Sequence, residues 1–423
     1  MVMLYDKVKL WGPALILLLA GIAGCQQNSI FHDIANEVPP VEPLISGSPS
    51  KIVKSDSYNK LYVTNGKIYE FDLGGNGRWY KSDNRNINGQ IRDVAAAGNS
   101  LYALSIVGTG LDFRVWKKTK TGDADGTWEP LEIKSDDTHS YTTVNTIFGA
   151  GKTLFAGASK SNGSGGNDYA ILYEAGGKLV FLIETAGILS GAGKIVDDAY
   201  YLGTMGSGIF RWDGTFAIPA TVDPDCPPLP DGSLPTIPTN IAGFLQPDPT
   251  NIAGFLQPDP SYIIAASRNG VILTGTAEGF RVAEKSLGYT LTGALALSKA
   301  YDYGSNNKAN PPDPDGDVTL LLFGIQGGSS SYNHGYRETV IDTDTWLLSD
   351  SSSSREPGNT KPTGIATNGN YTSTLKRFPV TAIFALEHIS ASNTNPIMFA
   401  ATPGDGFYSY RNRSGTWQWN HED

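Results

Sequence analysis

The sequence predicts an all-β chain, and among all-β architectures a β-propeller of seven blades with a long Pro-rich insertion, eight blades being the alternative. Three observations carry this. A short strand of the Leu-Tyr-x-x type recurs seven times, at 60–63, 100–103, 153–156, 199–202, 262–265, 319–322 and 397–400. Most copies have a candidate first strand just upstream (90–94, 144–148, 194–196, 380–384). An aromatic third strand follows at 67–71, 113–116, 170–173, 208–212 and 406–410. Gly, Asn and Asp punctuate these runs, and helical periodicity is nowhere sustained. Leu61 to Leu101 is about one blade length, roughly 40 residues. Trp79, Trp128, Trp346 and Trp417 stand where a fourth, outer strand would begin, and 417–420 would close the ring against the first blade. The long interval from Leu320 to Met398 leaves room for an eighth unit. A β-sandwich, or a stack of them, is the competing reading of short strands and turns. The unbroken recurrence along the whole body favours the propeller.

Ahead of this body, Lys7 and Lys9 precede the apolar run Ala14–Ala23, which is too short to span a bilayer. Small residues then lead into Cys25 in Ile22-Ala23-Gly24-Cys25, the layout of a cleavable signal ending in a lipobox. Residues 1–24 are therefore expected to be a lipoprotein signal peptide, and Cys25 the lipidated residue. An ordinary signal peptide with a chance cysteine is the alternative. Each buried methylene contributes about 0.8 kcal/mol, so two or three acyl chains hold a folded body at a membrane without a spanning helix. Residues 25–50, polar and rich in proline (Pro39, Pro40, Pro43), read as the lipidated N-terminus and a spacer. The propeller domain is assigned to 51–423, with an insertion at 219–260.

Inside that insertion, Thr239–Pro249 is repeated without change as Thr250–Pro260. Two identical neighbours cannot fill equivalent core positions, and the flanking prolines oppose helix and central strand alike. The expectation is an exposed excursion, dispensable for folding, that displays Asn240, Phe244, Leu245 and their counterparts Asn251, Phe255, Leu256 to a protein ligand. The competing reading is a duplication that the fold merely tolerates. A second excursion, 349–370, is rich in Ser, Gly, Asn and Pro.

The formal net charge of −10, with no basic run, argues against nucleic acid and against polyanions. Low charge (17%), 49 glycines and 20 tyrosines fit an extracytoplasmic β-protein. With Cys25 alkylated, Cys226 has no internal partner. The five histidines show neither His-x-His nor His-Glu-x-x-His spacing, and no Gly-x-Ser-x-Gly elbow occurs. No enzyme and no cofactor are expected. The best metal candidate is Asp313, Asp315 and Asp317 around Gly316, a conceivable Ca²⁺ loop. Its proline and the lack of a downstream bidentate glutamate favour a solvated acidic turn.

The lipobox, the acidic Gly/Tyr-rich β body and the tandem Asn-Ile-Ala-Gly-Phe-Leu-Gln-Pro-Asp-Pro repeat resemble treponemal outer-membrane lipoproteins described as adhesins for host fibronectin and laminin. The resemblance implies a surface-exposed, lipid-anchored spirochaetal protein whose partner is a host extracellular-matrix protein. It supplies no residue-level binding motif, and the chain has no Arg-Gly-Asp. Two other readings stay open: a periplasmic lipoprotein scaffold for envelope assembly, and a glycan-active enzyme with its site at the propeller's central channel. The body is expected to be monomeric, touching the membrane only through its N-terminal lipid.

Overall fold

In the computed structural model, the described residues lie within the compact unit Leu44–Glu422. Short breaks apart, the description omits 227–234, 246–262, 283–289, 301–317, 327–334, 342–374 and 386–397. Its 27 elements are all strands. The first unit comprises β1 (Ile52–Ser55), β2 (Lys60–Thr64), β3 (Ile68–Asp72) and β4 (Trp79–Lys81). In the second, β5 (Gln90–Ala97) is followed by β6 (Ser100–Val107), β7 (Asp112–Thr119) and β8 (Glu129–Ile133). The third runs β9 (Thr143–Ala150), β10 (Thr153–Ser161), β11 (Asn167–Ala175), β12 (Lys178–Thr185). The fourth holds β13 (Leu189–Ile195), β14 (Ala199–Thr204), β15 (Gly208–Trp212) and β16 (Ala217–Pro219). The fifth consists of β17 (Ile241–Leu245), β18 (Ile263–Ser267), β19 (Ile272–Gly275) and β20 (Phe280–Val282). β21 (Thr290–Ala300), β22 (Val318–Gln326) and β23 (Gly335–Ile341) form the sixth. The last is β24 (Ala382–Ala385), β25 (Met398–Thr402), β26 (Gly406–Arg413) and β27 (Thr416–His421).

Within each unit, consecutive strands pair antiparallel in chain order. All seven Leu-Tyr-type segments fall on second strands, for a packing reason visible in their alternation. In β2, Leu61 and Val63 point into one apolar layer and Tyr62 into another. In β6, Leu101 and Ala103 enter the layer that holds Tyr62, whereas Tyr102 and Leu104 enter the next. In β10, Leu154 shares Tyr102's layer and Phe155 faces the fourth unit. A second strand is thus buried on both faces, and its sequence is apolar throughout instead of alternating.

Seven such layers exist among the described residues, each mixing side chains of two neighbouring units. The cycle closes, because Phe71 and Trp79 of the first unit share a layer with Phe399 and Phe407 of the last. Trp79 packs edge-on to both phenylalanines at 5.2 Å between ring centres. The first strands also meet in cyclic order, β1 through β24 and back to β1. The result is an all-β, propeller-like ring whose core is a set of seven layers between sheets.

Three expectations are corrected. The segment 417–420 lies in β27, which pairs with β26 of its own unit, so the seam to the first unit is closed by packed rings and not by that strand. The second and third units do not stand apart, since β8 and β12 pair in parallel (Glu132↔Lys178, Ile133↔Leu179) and merge two meanders into one eight-stranded sheet. The first repeat copy is not an exposed excursion: Ile241–Leu245 forms β17, the first strand of the fifth unit. Its prolines, Pro238 and Pro247, stand outside the strand, so nothing in 241–245 breaks a sheet. Deleting 239–260 would therefore remove a packed strand. Trp346, residues 349–370 and the second repeat copy lie outside the described residues.

Two outcomes follow. Trp79, 5% exposed, is the centre of the seam, and Trp79→Ala should cost about 3–5 kcal/mol in denaturant unfolding. Burial also raises the Tyr58 phenol from 10.0 to about 12 and pushes up Tyr62, Tyr102 and Tyr410. The native state then holds these protons more tightly than the unfolded chain. Stability should be fully present below pH 10 and fall as pH rises from 10 towards 12. In an alkaline titration, tyrosinate absorbance from these rings should appear together with unfolding and not ahead of it.

Candidate functional site

The first strands converge so closely that side chains become an obstacle. A Cβ at Gly149 would lie 1.7 Å from the carbonyl oxygen of Ala96, and one at Gly243 would lie 2.3 Å from that of Gly293. Glycine at these positions lets β9 approach β5 and β17 approach β21 backbone to backbone. Around these contacts the first strands of all seven units enclose a cavity of about 780 Å³. Polar groups from three of them, Asn145 and Thr146, Ser190, and Thr292, and aromatic rings from three, Phe148, Phe244, Phe384, face it.

Its charged centre is an ion pair. Lys51 Nζ lies 2.9 Å from Asp93 Oδ2, with the side chains 20% and 7% exposed. The same ammonium donates to the Ile147 carbonyl and sits 3.9 Å above the centre of the Phe148 ring, a favourable cation–π placement. Asp93 accepts from the backbone N–H of Ile147 at 3.0 Å and of Val94 at 2.9 Å. Lys51 precedes β1, Asp93 is in β5, and Ile147 and Phe148 are in β9, so one pair binds three units. Burial lowers the Lys51 pKa, with Asp93 opposing. Burial likewise raises that of Asp93, opposed first by Lys51 and then by the two N–H donors. Burial thus disfavours the charge on each group, and the partner and the hydrogen bonds oppose that penalty. Further along the ring, Thr146 Oγ1 donates to the Leu189 carbonyl at 2.9 Å, and Thr292 Oγ1 to that of Val380 at 2.5 Å.

The sequence-predicted residues distribute unevenly. Phe244 and Leu245 are half-buried and line the cavity. They are not displayed on an arm, because the short strand they belong to is packed against both neighbours. Asn240 is exposed at the strand's entry, its carbonyl accepting from Arg268 N–H at 2.9 Å. Asn251, Phe255, Leu256, the Asp313, Asp315 and Asp317 loop and Cys25 lie outside the described residues. Among the described residues no cluster of three or more His, Cys, Asp or Glu could hold a metal. Cys226 is a free thiol. The Lys51–Asp93 pair went unread in the sequence, although Asp93 carries a signal: it is the one carboxylate in Gln-Ile-Arg-Asp-Val-Ala-Ala-Ala, ahead of an apolar run.

A closed ring of antiparallel sheets with a cavity at its hub defines a propeller-like body. The TP013X lipoprotein family matches over residues 6–182. A stretch covering 21% of the chain is 34% identical over 91 residues to an uncharacterized lipoprotein of Treponema pallidum (strain Nichols), and spans 18% of that relative's length. Both matches are to lipoproteins, one of them treponemal, and neither reaches half of the chain. Among solved structures, the chain is similar to the WD40 β-propeller domain of Doa1, with a TM-score of 0.43 and 9% identity, over 88% of this chain and 96% of that one. It is also similar to YCF48 from Cyanidioschyzon merolae, with a TM-score of 0.42 and 14% identity, over 88% and 97%.

Removing one partner of the hub pair should expose its cost. Asp93→Ala strands the Lys51 ammonium and is expected to destabilise by about 3 kcal/mol. The double change Lys51→Met with Asp93→Leu should recover most of that loss. Urea unfolding of the three proteins checks both, and equal destabilisation of single and double variants would refute the clamp.

Proposed function

We propose that this chain is a lipid-anchored, seven-bladed propeller that acts as a binding protein, with no catalytic step of its own. The observation that carries the reading is the state of the cavity's acids. Among the described residues its lining holds two carboxylates, Asp93 and Asp56. The first is engaged by Lys51 and two N–H groups, and the second by Lys54 at 2.8 Å. General acid–base work needs a carboxyl free to take up and release a proton at a substrate; the buried Asp93 is tied into the ring, and Asp56, 77% exposed, is a solvated acid beside Lys54. Loops at the ends of such a ring form a broad surface suited to a protein ligand.

In the finer form of the proposal, Cys25 is the lipidated residue, the body stands on the outer face of the outer membrane, and the ligand is a host extracellular-matrix protein such as fibronectin or laminin. The tandem repeat's resemblance to treponemal adhesins supports this. The test is binding of residues 26–423 to immobilised fibronectin and laminin, run beside protease accessibility on intact cells. Saturable binding of a cooperatively folded protein, with cleavage on intact cells, is the expected result. A folded protein that binds neither ligand and is protected in intact cells would sink the adhesin reading and favour a periplasmic scaffold.

A further inference from the structure

We infer that the two identical repeat copies are interchangeable occupants of one strand position, so that the fifth unit closes in two registers eleven residues apart. The position is narrowly specified. Ile241 is fully buried in the layer between the fourth and fifth units, beside Tyr201 and Ile263. Gly243 faces the Gly293 backbone, with no room for a side chain. The Phe244 ring covers Gly191 and Gly203, so closely that a Cβ at Gly203 would lie 1.9 Å from it. The entry is held by backbone groups, the Thr239 carbonyl accepting from Gly206 and Gly208 at 2.9 Å and the Asn240 carbonyl from Arg268 at 2.9 Å, and by Ile237, which packs against the same layer and whose counterpart is Asp248.

Apart from that of Ile237, every one of these requirements is met again by Thr250, Asn251, Ile252, Gly254 and Phe255, in the same order and spacing. The match extends one residue further upstream, where Pro249 stands as Pro238 does. The contacts within the strand position are therefore the same for either copy. What differs is the connections. With the first copy seated, as here, β17 is flanked by 220–240 and 246–262. With the second seated, the flanks become 220–251 and 257–262, the latter still long enough for a hairpin. Loop-closure entropy changes slowly with length, so the connections by themselves shift the populations by no more than about tenfold, and the exchange of Ile237 for Asp248 favours the first copy.

The test marks each copy separately in the full chain. Aspartate at the buried isoleucine position is incompatible with the layer. Unfolding equilibria are measured for I241D, I252D and the double variant I241D/I252D, with G243V, G254V and G243V/G254V as an independent set. Expected is a change of at least about 100-fold for each double variant, with each single variant losing distinctly less than its double. If I241D alone equals the double, the first copy is the sole occupant and the inference fails. It fails equally if the double variants unfold like the wild type, since neither copy would then fill the position.

Discussion

An open stack of these sheets would leave two apolar faces in water, one at each end, and the contact between the last unit and the first removes both. That contact consists of Phe71, Trp79, Phe399 and Phe407, with Leu61, Val63 and Ala401 around them. It makes every unit equivalent in one respect, since each sheet buries both faces and none is terminal. The other six layers could form in a linear array, whereas the seventh exists only when the ring is shut. Closure therefore couples the stability of units far apart in sequence.

The hub answers the same constraint from the inside. Sheets that fan outward must crowd where their first strands meet, and the chain meets this crowding with Gly149, Gly243 and Gly293. Small residues alone would leave unpaired polar backbone at the centre. Thr146, Thr292 and the Lys51–Asp93 pair supply partners to carbonyl and N–H groups of the next unit. Polar side chains at the hub thus act between sheets, which is work a larger apolar side chain could not do in that space.

What the sequence makes legible follows from these demands. Second strands are buried on both faces, and so Lys60–Thr64 or Thr153–Ser161 declare themselves as apolar runs beside aromatic partners. First strands are less legible, because crowding replaces Val and Ile with Gly, Ala and Thr. Leu189–Ile195 shows its strand character only at Lys194 and Ile195, its last two residues, and Ile241–Leu245 is masked by the prolines around it. Within the candidate site, Phe244 and Leu245 stand out as apolar residues, but their direction, towards the hub, depends on neighbours remote in sequence. The Lys51–Asp93 pair joins residues on different units, and spacing along one chain cannot reveal such a meeting. The merging of β8 with β12 is invisible for a related reason: a parallel pair of two residues leaves no periodic trace.

Lys51 stands at the junction where the chain passes from its N-terminal segment into the first sheet, and its ammonium reaches across to the second and third units. A pull arriving from the N-terminal side meets Ile45, buried in the seam layer, and then Lys51, before it meets β1. Tension is then shared among three units, two of them fused through β8 and β12, instead of peeling a four-residue strand from the hub one hydrogen bond at a time. For the lipid-anchored body proposed above, the ion pair at the hub is a strain relief between that load and the first strand.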